Sequence, residues 1–262
     1  MQTRDSDPRA PNDGAIPQRD LTIIAPCFNE DMNVHPLVAR MLAMFETLPI
    51  DAELILVDDG SRDATWQKIQ EEQAKHDRVR GFHHEKNKGI VGGWRTGLAG
   101  SRSPLVCLID SDLQNRPEDI PRLYDAYESE RPDLVQAVRH PKVNKNRIAF
   151  SKGLNFLLNA TFGMHLRDNK SGFILCKREV LDAILADADG YRYFQSFIGV
   201  AAGVRQCRIV EVDTDFDARH AGESFLSNFP IQVSLRICKE LLQYRVDTLR
   251  NRREPRPGAD RG

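Results

Sequence analysis

Residues 104–121 read Pro-Leu-Val-Cys-Leu-Ile-Asp-Ser-Asp-Leu-Gln-Asn-Arg-Pro-Glu-Asp-Ile-Pro. Leu105 to Ile109 is a short, unbroken apolar run, the pattern of a strand buried on both faces. It stops at Asp110; Asp112 follows two residues on, and Gln114 two more. Pro117 then opens a helix, with Asn115 or Arg116 near its N-cap. The acids therefore sit at the C-terminal end of a buried strand, where open α/β sheets place their ligands. Two carboxylates and an amide oxygen on one tight turn make a hard-oxygen set suited to Mg2+ or Mn2+. The plainer reading is a polar strand-to-helix loop, since Asp-x-Asp alone is a weak motif.

Upstream, the same pattern repeats. Leu21 to Ala25 is a strand followed by the loop Pro26-Cys-Phe-Asn-Glu30, and a helix is expected over 33–48. Glu53 to Val57 is a strand ending in Asp58-Asp59-Gly60-Ser61, with a helix over 63–76 and a short strand from Val79 to His83. Strands alternating with helices predict a parallel α/β sheet, and right-handed crossovers bring these strand ends to one edge. Three loops then converge: Pro26–Glu30, Asp58–Ser61 and Asp110–Gln114. Acids at strand ends often only cap helices. Three such loops on one edge favour a nucleotide site.

The glycine-rich run Asn87 to Gly97 lacks Gly-Lys-Ser/Thr and does not follow the first strand, so it fits neither a P-loop nor a dinucleotide fingerprint. Close helix–sheet packing is its alternative reading.

Downstream the pattern is less regular. Asp133 to Val138 reads as a strand ending at Arg139, and 147–162 as a helix. The polar loop Arg167 to Phe173 precedes a short strand, Ile174 to Cys176, and a helix begins near Lys177. Tyr193 to Ala202 reads as helical, Arg208 to Phe216 as a strand, and 219–224 as a polar turn. Pro230 to Arg253 reads as a basic amphipathic helix. It either packs on its own domain, the preferred reading, or lies on an anionic membrane. Residues 1–20 and 254–262 are polar and expected to be disordered.

The 262 residues allow an ample core, and the net charge of −1 gives the molecule no nucleic-acid or membrane bias. Five scattered cysteines (Cys27, Cys107, Cys176, Cys207, Cys238) show no metal spacing and read as buried free thiols in a reducing compartment. No apolar run reaches the roughly 18 residues that span a bilayer, and no signal-peptide core opens the chain. The expected location is cytoplasmic, peripheral at a membrane's inner face if the C-terminal helix or a membrane partner subunit makes contact. The oligomeric state is not legible.

At this point Pro26-Cys-Phe-Asn-Glu30, Val57-Asp-Asp-Gly-Ser61, Asp110-Ser-Asp-Leu-Gln114 and Pro117-Glu118 resemble, in order and spacing, the signature of family 2 glycosyltransferases. The resemblance covers roughly 20–225. Ser151-Lys-Gly-Leu-Asn155, Asp168, Ser171-Gly-Phe173, and Arg219 with Gly222-Glu-Ser224 look like the dolichyl-phosphate mannose synthase and polyprenyl-phosphate glycosyltransferase branch. Ile174, where many members of that branch carry Arg, and the absence of an acid after Gln195 depart from it on the acceptor side.

The resemblance implies a GT-A fold, a three-layer α/β/α sandwich with a mostly parallel sheet, over 21–229. It implies a nucleotide-sugar donor, inversion at the anomeric carbon and one Mg2+ or Mn2+. Pro26, Phe28, Glu30, Asp58, Asp59, Asp110 and Ser111 would bind the donor. Asp110, Asp112 and Gln114 would hold metal and diphosphate. Arg139, Arg147, Lys152, Ser171 and Arg219 would face phosphates or acceptor, with Asp112, Asp168 and Arg219 in the catalytic set. A lipid phosphate, with a second pKa of about 6, arrives ionised and needs cations more than a base. A hydroxyl acceptor needs a base such as Asp168 or Glu223. The leading expectation is transfer to a polyprenyl phosphate. The alternatives are a hydroxyl acceptor on the same fold, or a binding protein without turnover.

Overall fold

The computed structural model describes residues 18–141, 155–156, 158–169, 171–217 and 230–251. In chain order these form β1 (Leu21–Cys27), α1 (Asp31–Phe45), β2 (Ala52–Asp58), α2 (Thr65–Lys75), β3 (Val79–His83), α3 (Gly89–Ala99) and β4 (Leu105–Leu108). A 3-10 turn, Pro117–Asp119, leads into α4 (Ile120–Glu130), then β5 (Leu134–Pro141), β6 (Ile174–Lys177) and α5 (Arg178–Ala186). A second 3-10 turn, Phe194–Phe197, precedes α6 (Ile198–Val204), β7 (Ile209–Phe216) and α7 (Pro230–Asn251).

The sheet has seven strands in the order β3-β2-β1-β4-β6-β5-β7. All run parallel except β6, which is antiparallel to both β4 and β5. This reversal matters for function. It brings the start of β6, with residues 166–169 and 171–173 before it, to the edge where the other strands end. The chain winds from β1 outward through β2 and β3, then returns to β4 on β1's other side. The C-terminal ends of β1 and β4 are thus the switch point, the usual crevice for ligands.

Two cores sandwich the sheet. One packs Ile23 and Leu54 against Leu37 and Met41 of α1 and Leu123 of α4. The other packs Ile24, Leu108 and Cys176 against Trp94 of α3, Ile184 of α5 and Phe197. Ile237, Leu241 and Tyr244 of α7 are buried in this second core. Each fully buried side chain of this size is worth about 1.5–3 kcal/mol.

The glycines of α3 let it lie directly on β1. A Cβ on Gly97 would stand 2.4 Å from Ile24 Cγ2, and one on Gly93 2.8 Å from Pro26 Cβ. The glycine-rich run is therefore a packing device at these positions.

Several boundaries differ from the sequence reading. Helix α1 ends at Phe45, and Thr47 and Leu48 turn back onto Met44 and Phe45. Strand β5 runs past Val138 to Pro141 because β7 pairs with it over the whole length. The stretch 193–202 is divided between a 3-10 turn and α6. Cys27, Cys107 and Cys176 are buried and Cys207 is only half-buried.

Candidate active site

Three loops meet at the switch point. Phe28, in the loop after β1, is 41% exposed, one of few large apolar side chains so placed among the described residues. Asn29 takes the left-handed region (φ 55), which Asn tolerates better than most residues. That turn lets the Asn29 N–H donate to Ser61 Oγ at 2.9 Å while its Oδ1 accepts from the Arg62 N–H at 2.9 Å. Glu30 is half-buried, and its carboxylate accepts from Asn33 Nδ2. The β1 and β2 loops are thus one stitched unit. Ser111 Oγ donates to the Pro26 carbonyl at 2.9 Å and ties the β4 loop to it. Burial pushes the Cys27 thiol well above its ordinary range, which disfavours the thiolate.

Asp58 and Asp59 are buried. Asp58 Oδ1 accepts from the Ser61 N–H at 3.1 Å, and Oδ2 lies 2.7 Å from His83 Nδ1. Asp59 accepts from the backbone N–H groups of Lys88 and Gly89, both at 2.8 Å, and pairs with His84 Nδ1 at 2.7 Å. It therefore caps the start of α3, where an anion is favoured by the helix dipole. His83, His84 and Trp66, whose ring stacks on His83, escaped the sequence reading. The available signal was the doublet His83-His84 at the end of a strand beside one that ends in Asp58-Asp59.

The β4 turn is built differently. Leu113 is buried yet left-handed (φ 62), a rare conformation for a leucine, costing about 1–2 kcal/mol. It reverses the chain so that Asp110, Asp112 and Gln114 share one turn. Asp112 Oδ1 accepts from the Gln114 N–H at 3.1 Å, and Asp110 Oδ2 accepts from Asn115 Nδ2 at 3.1 Å. Gln114 Nε2 donates to the Asp217 carbonyl at 3.4 Å, and the Asp217 N–H donates back to the Gln114 carbonyl at 2.9 Å. The turn is thereby clamped to the end of β7.

Arg139, at the end of β5, makes a two-bond fork with Asp168, Nε to Oδ2 at 2.7 Å and Nη2 to Oδ1 at 3.1 Å. Its guanidinium also lies over the Phe216 ring, 5.4 Å from the centroid. Burial works against its charge, but Asp168 and then Asp110 outweigh that, and the net shift is upward. Arg139 is thus a fixed cation in the field of Asp110. Ser171 is buried, its Oγ without a partner among the described residues. Arg147, Lys152, Arg219 and Glu223 lie outside the described residues.

The donor set at the β4 turn fits a divalent cation. Asp110 and Asp112 carry carboxylate oxygens there, and Gln114, whose Nε2 donates to the Asp217 carbonyl, carries an amide oxygen. Among the described residues no group of three or more His, Cys, Asp and Glu gathers.

The chain matches the profile described as Glycosyl transferase family 2 over residues 22–185. A dodecaprenyl-phosphate galacturonate synthase of Rhizobium johnstonii is 29% identical over 247 residues, 92% of this chain and 71% of that protein. An undecaprenyl-phosphate 4-deoxy-4-formamido-L-arabinose transferase of Aeromonas hydrophila is 28% identical over 206 residues, 78% of this chain and 62% of that one. Among solved structures, glucosyl-3-phosphoglycerate synthase from Mycobacterium tuberculosis with UDP superposes with a TM-score of 0.60 at 19% identity, covering 86% of this chain and 80% of that one. The same enzyme was solved with Mn2+, UDP-glucose and phosphoglyceric acid, again with a TM-score of 0.60.

Proposed function

Since this chain belongs to glycosyl transferase family 2 and has its GT-A fold, we propose that it moves a sugar from a nucleotide-sugar donor to a polyprenyl phosphate. The observation that carries this reading is the Arg139–Asp168 fork beside Asp110. Both oxygens of Asp168 hold the guanidinium. In this reading Asp168 serves to aim a cation. That arrangement suits an acceptor that arrives with its own anionic nucleophile. Both polyprenyl-phosphate relatives fit the same choice.

In this reading Pro26, Phe28 and Glu30 flank the nucleoside. Asp110, Asp112 and Gln114 would hold a Mg2+ or Mn2+ ion; glucosyl-3-phosphoglycerate synthase has been solved with each of these ions and UDP. The bound ion supplies charge neutralisation as the nucleoside diphosphate leaves. Ser111 fixes the β1 and β4 loops at the spacing the diphosphate must bridge. Arg139 places an anionic oxygen of donor or acceptor, with Asp168 as its positioning residue. Arg147, Lys152 and Arg219 are proposed as the further phosphate-facing cations. Among the described residues no helix is long and apolar enough to cross a membrane. We propose that the lipid is met at the membrane surface.

The deciding assay offers a panel of radiolabelled nucleotide sugars, with Mn2+ or Mg2+, to a polyprenyl phosphate and to a mixed saccharide pool. Labelled lipid is the expected product. Labelled saccharide with no labelled lipid under any donor would reject the acceptor and retain the transferase.

A further inference from the structure

The two Asp–His pairs at the ends of β2 and β3 differ in one respect. His84 is closed on both nitrogens, Nδ1 by Asp59 and Nε2 by Thr96 Oγ1 at 2.8 Å. His83 uses only Nδ1, on Asp58, and its Nε2 has no hydrogen-bond partner among the described residues. The His83 side chain is 37% exposed. It pairs in register with Asp58, which in turn pairs with Cys27, so His83 stands in the same row as the nucleoside loop at the sheet's ligand edge. Two strand spacings, about 10 Å, separate it from Cys27, roughly the breadth of a nucleoside. Trp66 stacks on the ring at a centroid distance of 5.2 Å and fixes its plane.

We infer that His83, oriented by Asp58, is the residue that reads the base of the donor, and that it selects bases carrying a ring N–H. This rests on the nucleotide-sugar reading above and names the base class within it. An ionised carboxylate only accepts hydrogen bonds, so the imidazole must place its proton on Nδ1 toward Asp58. The neutral ring then presents the Nε2 lone pair to the site. Uracil, thymine and guanine have a ring N–H to donate to it. Cytosine and adenine have a ring lone pair at the corresponding position and would face lone pair with lone pair. Asp58, fully buried, reaches the base only through His83.

The pair makes a sharper forecast for Asp58→Asn. Ser61 N–H still needs an acceptor, which holds the amide oxygen on the Ser61 side and turns the amide NH2 toward His83 Nδ1. The ring must then accept at Nδ1 and carry its proton on Nε2, becoming a donor. The preference should move toward cytosine and adenine.

The test is calorimetric binding of UDP, dTDP, GDP, CDP and ADP at pH 8, above the ordinary histidine range of about 6.5. Wild type should bind its best ring-N–H nucleotide about tenfold or more tighter than CDP and ADP, the usual cost of one unmatched polar pair. UDP against GDP tells which of the two ring types fits. Asp58→Asn should erase or invert that ratio, and His83→Phe, which keeps the ring stack, should bring it near one. In the free wild type, the imidazole 15N–1H spectrum should show His83 as the Nδ1–H tautomer, a result that depends on no variant folding. CDP or ADP binding as tightly as the rest, or an Nε2–H tautomer, would sink the inference while leaving the transferase reading intact. Failure to bind any nucleotide would sink both.

Discussion

The turns that end β2 and β4 carry similar acids on the same edge of the same sheet, yet they are wired in opposite senses. Asp58 and Asp59 reach across 25 to 30 residues, to His83, His84 and the start of α3. The bonds of Asp110 and Asp112 described above stay within five residues, to Asn115 and Gln114. In the first turn the acids themselves hold other elements in place; in the second, Ser111 and Gln114 carry ties to β1 and β7. An acid at a strand end therefore says little about chemistry until its partners are known.

The largest effect is expected at the β4 turn. Asp112→Ala should lower kcat for transfer by at least ~10²-fold, as loss of one group stabilising developing charge does. EDTA should do the same to the wild type. The thermal midpoint should move less than in Asp59→Ala, because the bond Asp112 accepts from the Gln114 N–H lies within its own turn. Turnover that survives either treatment would remove the metal from the mechanism.

At the β2 turn the balance should reverse. Asp59→Ala leaves a buried histidine and two helix-start N–H groups without their acceptor, at a cost of about 2–3 kcal/mol in stability. Urea unfolding should show it as a lower midpoint with an unchanged slope. At a temperature where the variant is folded, its loss of kcat should be smaller than that of Asp112→Ala. Equal catalytic losses in the two variants would erase the distinction between holding acids and reacting acids.

Much of this architecture was legible because buried strands announce themselves. The runs ending at Ala25, Val57 and Ile109 gave the sheet, its ligand edge and the three convergent loops. The direction of β6 was not legible, since Ile-Leu-Cys reads the same in either sense; only its pairing with β4 and β5 brings Asp168 to Arg139. The inward aim of Asp58 and Asp59 was hidden for a related reason. Their partners, His83 and His84, lie 25 residues away, and a lone histidine doublet on a short strand carries no periodic signal. The glycines of α3 were ambiguous until Ile24 and Pro26 proved to be what they make room for.

Asp168 gives the comparison a third case. It reaches 29 residues to Arg139 and so belongs with the holding acids. Asp168→Asn keeps the shape and one good acceptor, and should cost less than about tenfold in transfer to a lipid phosphate, mostly in KM for the phosphorylated partner. A base for a hydroxyl acceptor would instead lose nearly all kcat. The split between KM and kcat, measured with each substrate varied in turn, decides which kind of acid it is.

The smallest expected effect tests how far the shape of the β4 turn depends on its tie to α1. Glu118, in the 3-10 turn that follows it, forms an ion pair with Arg40 of α1, with Nε to Oε1 at 2.7 Å. The Arg40 hydrogen bonds hold the Glu118 carboxyl below its ordinary range. A lowered folded pKa means the pair adds stability above the unfolded value, about 4.3, and loses it as pH falls through the folded value. Both side chains are about a third or more exposed, so water and salt reduce the gain to less than about 1 kcal/mol. Glu118→Gln should therefore unfold at slightly lower urea than wild type at pH 7, and the two curves should merge below about pH 4. Transfer activity should not change. If kcat falls along with stability, the shape of the Asp110–Gln114 turn depends on its tie to α1 as well as on those to β1 and β7.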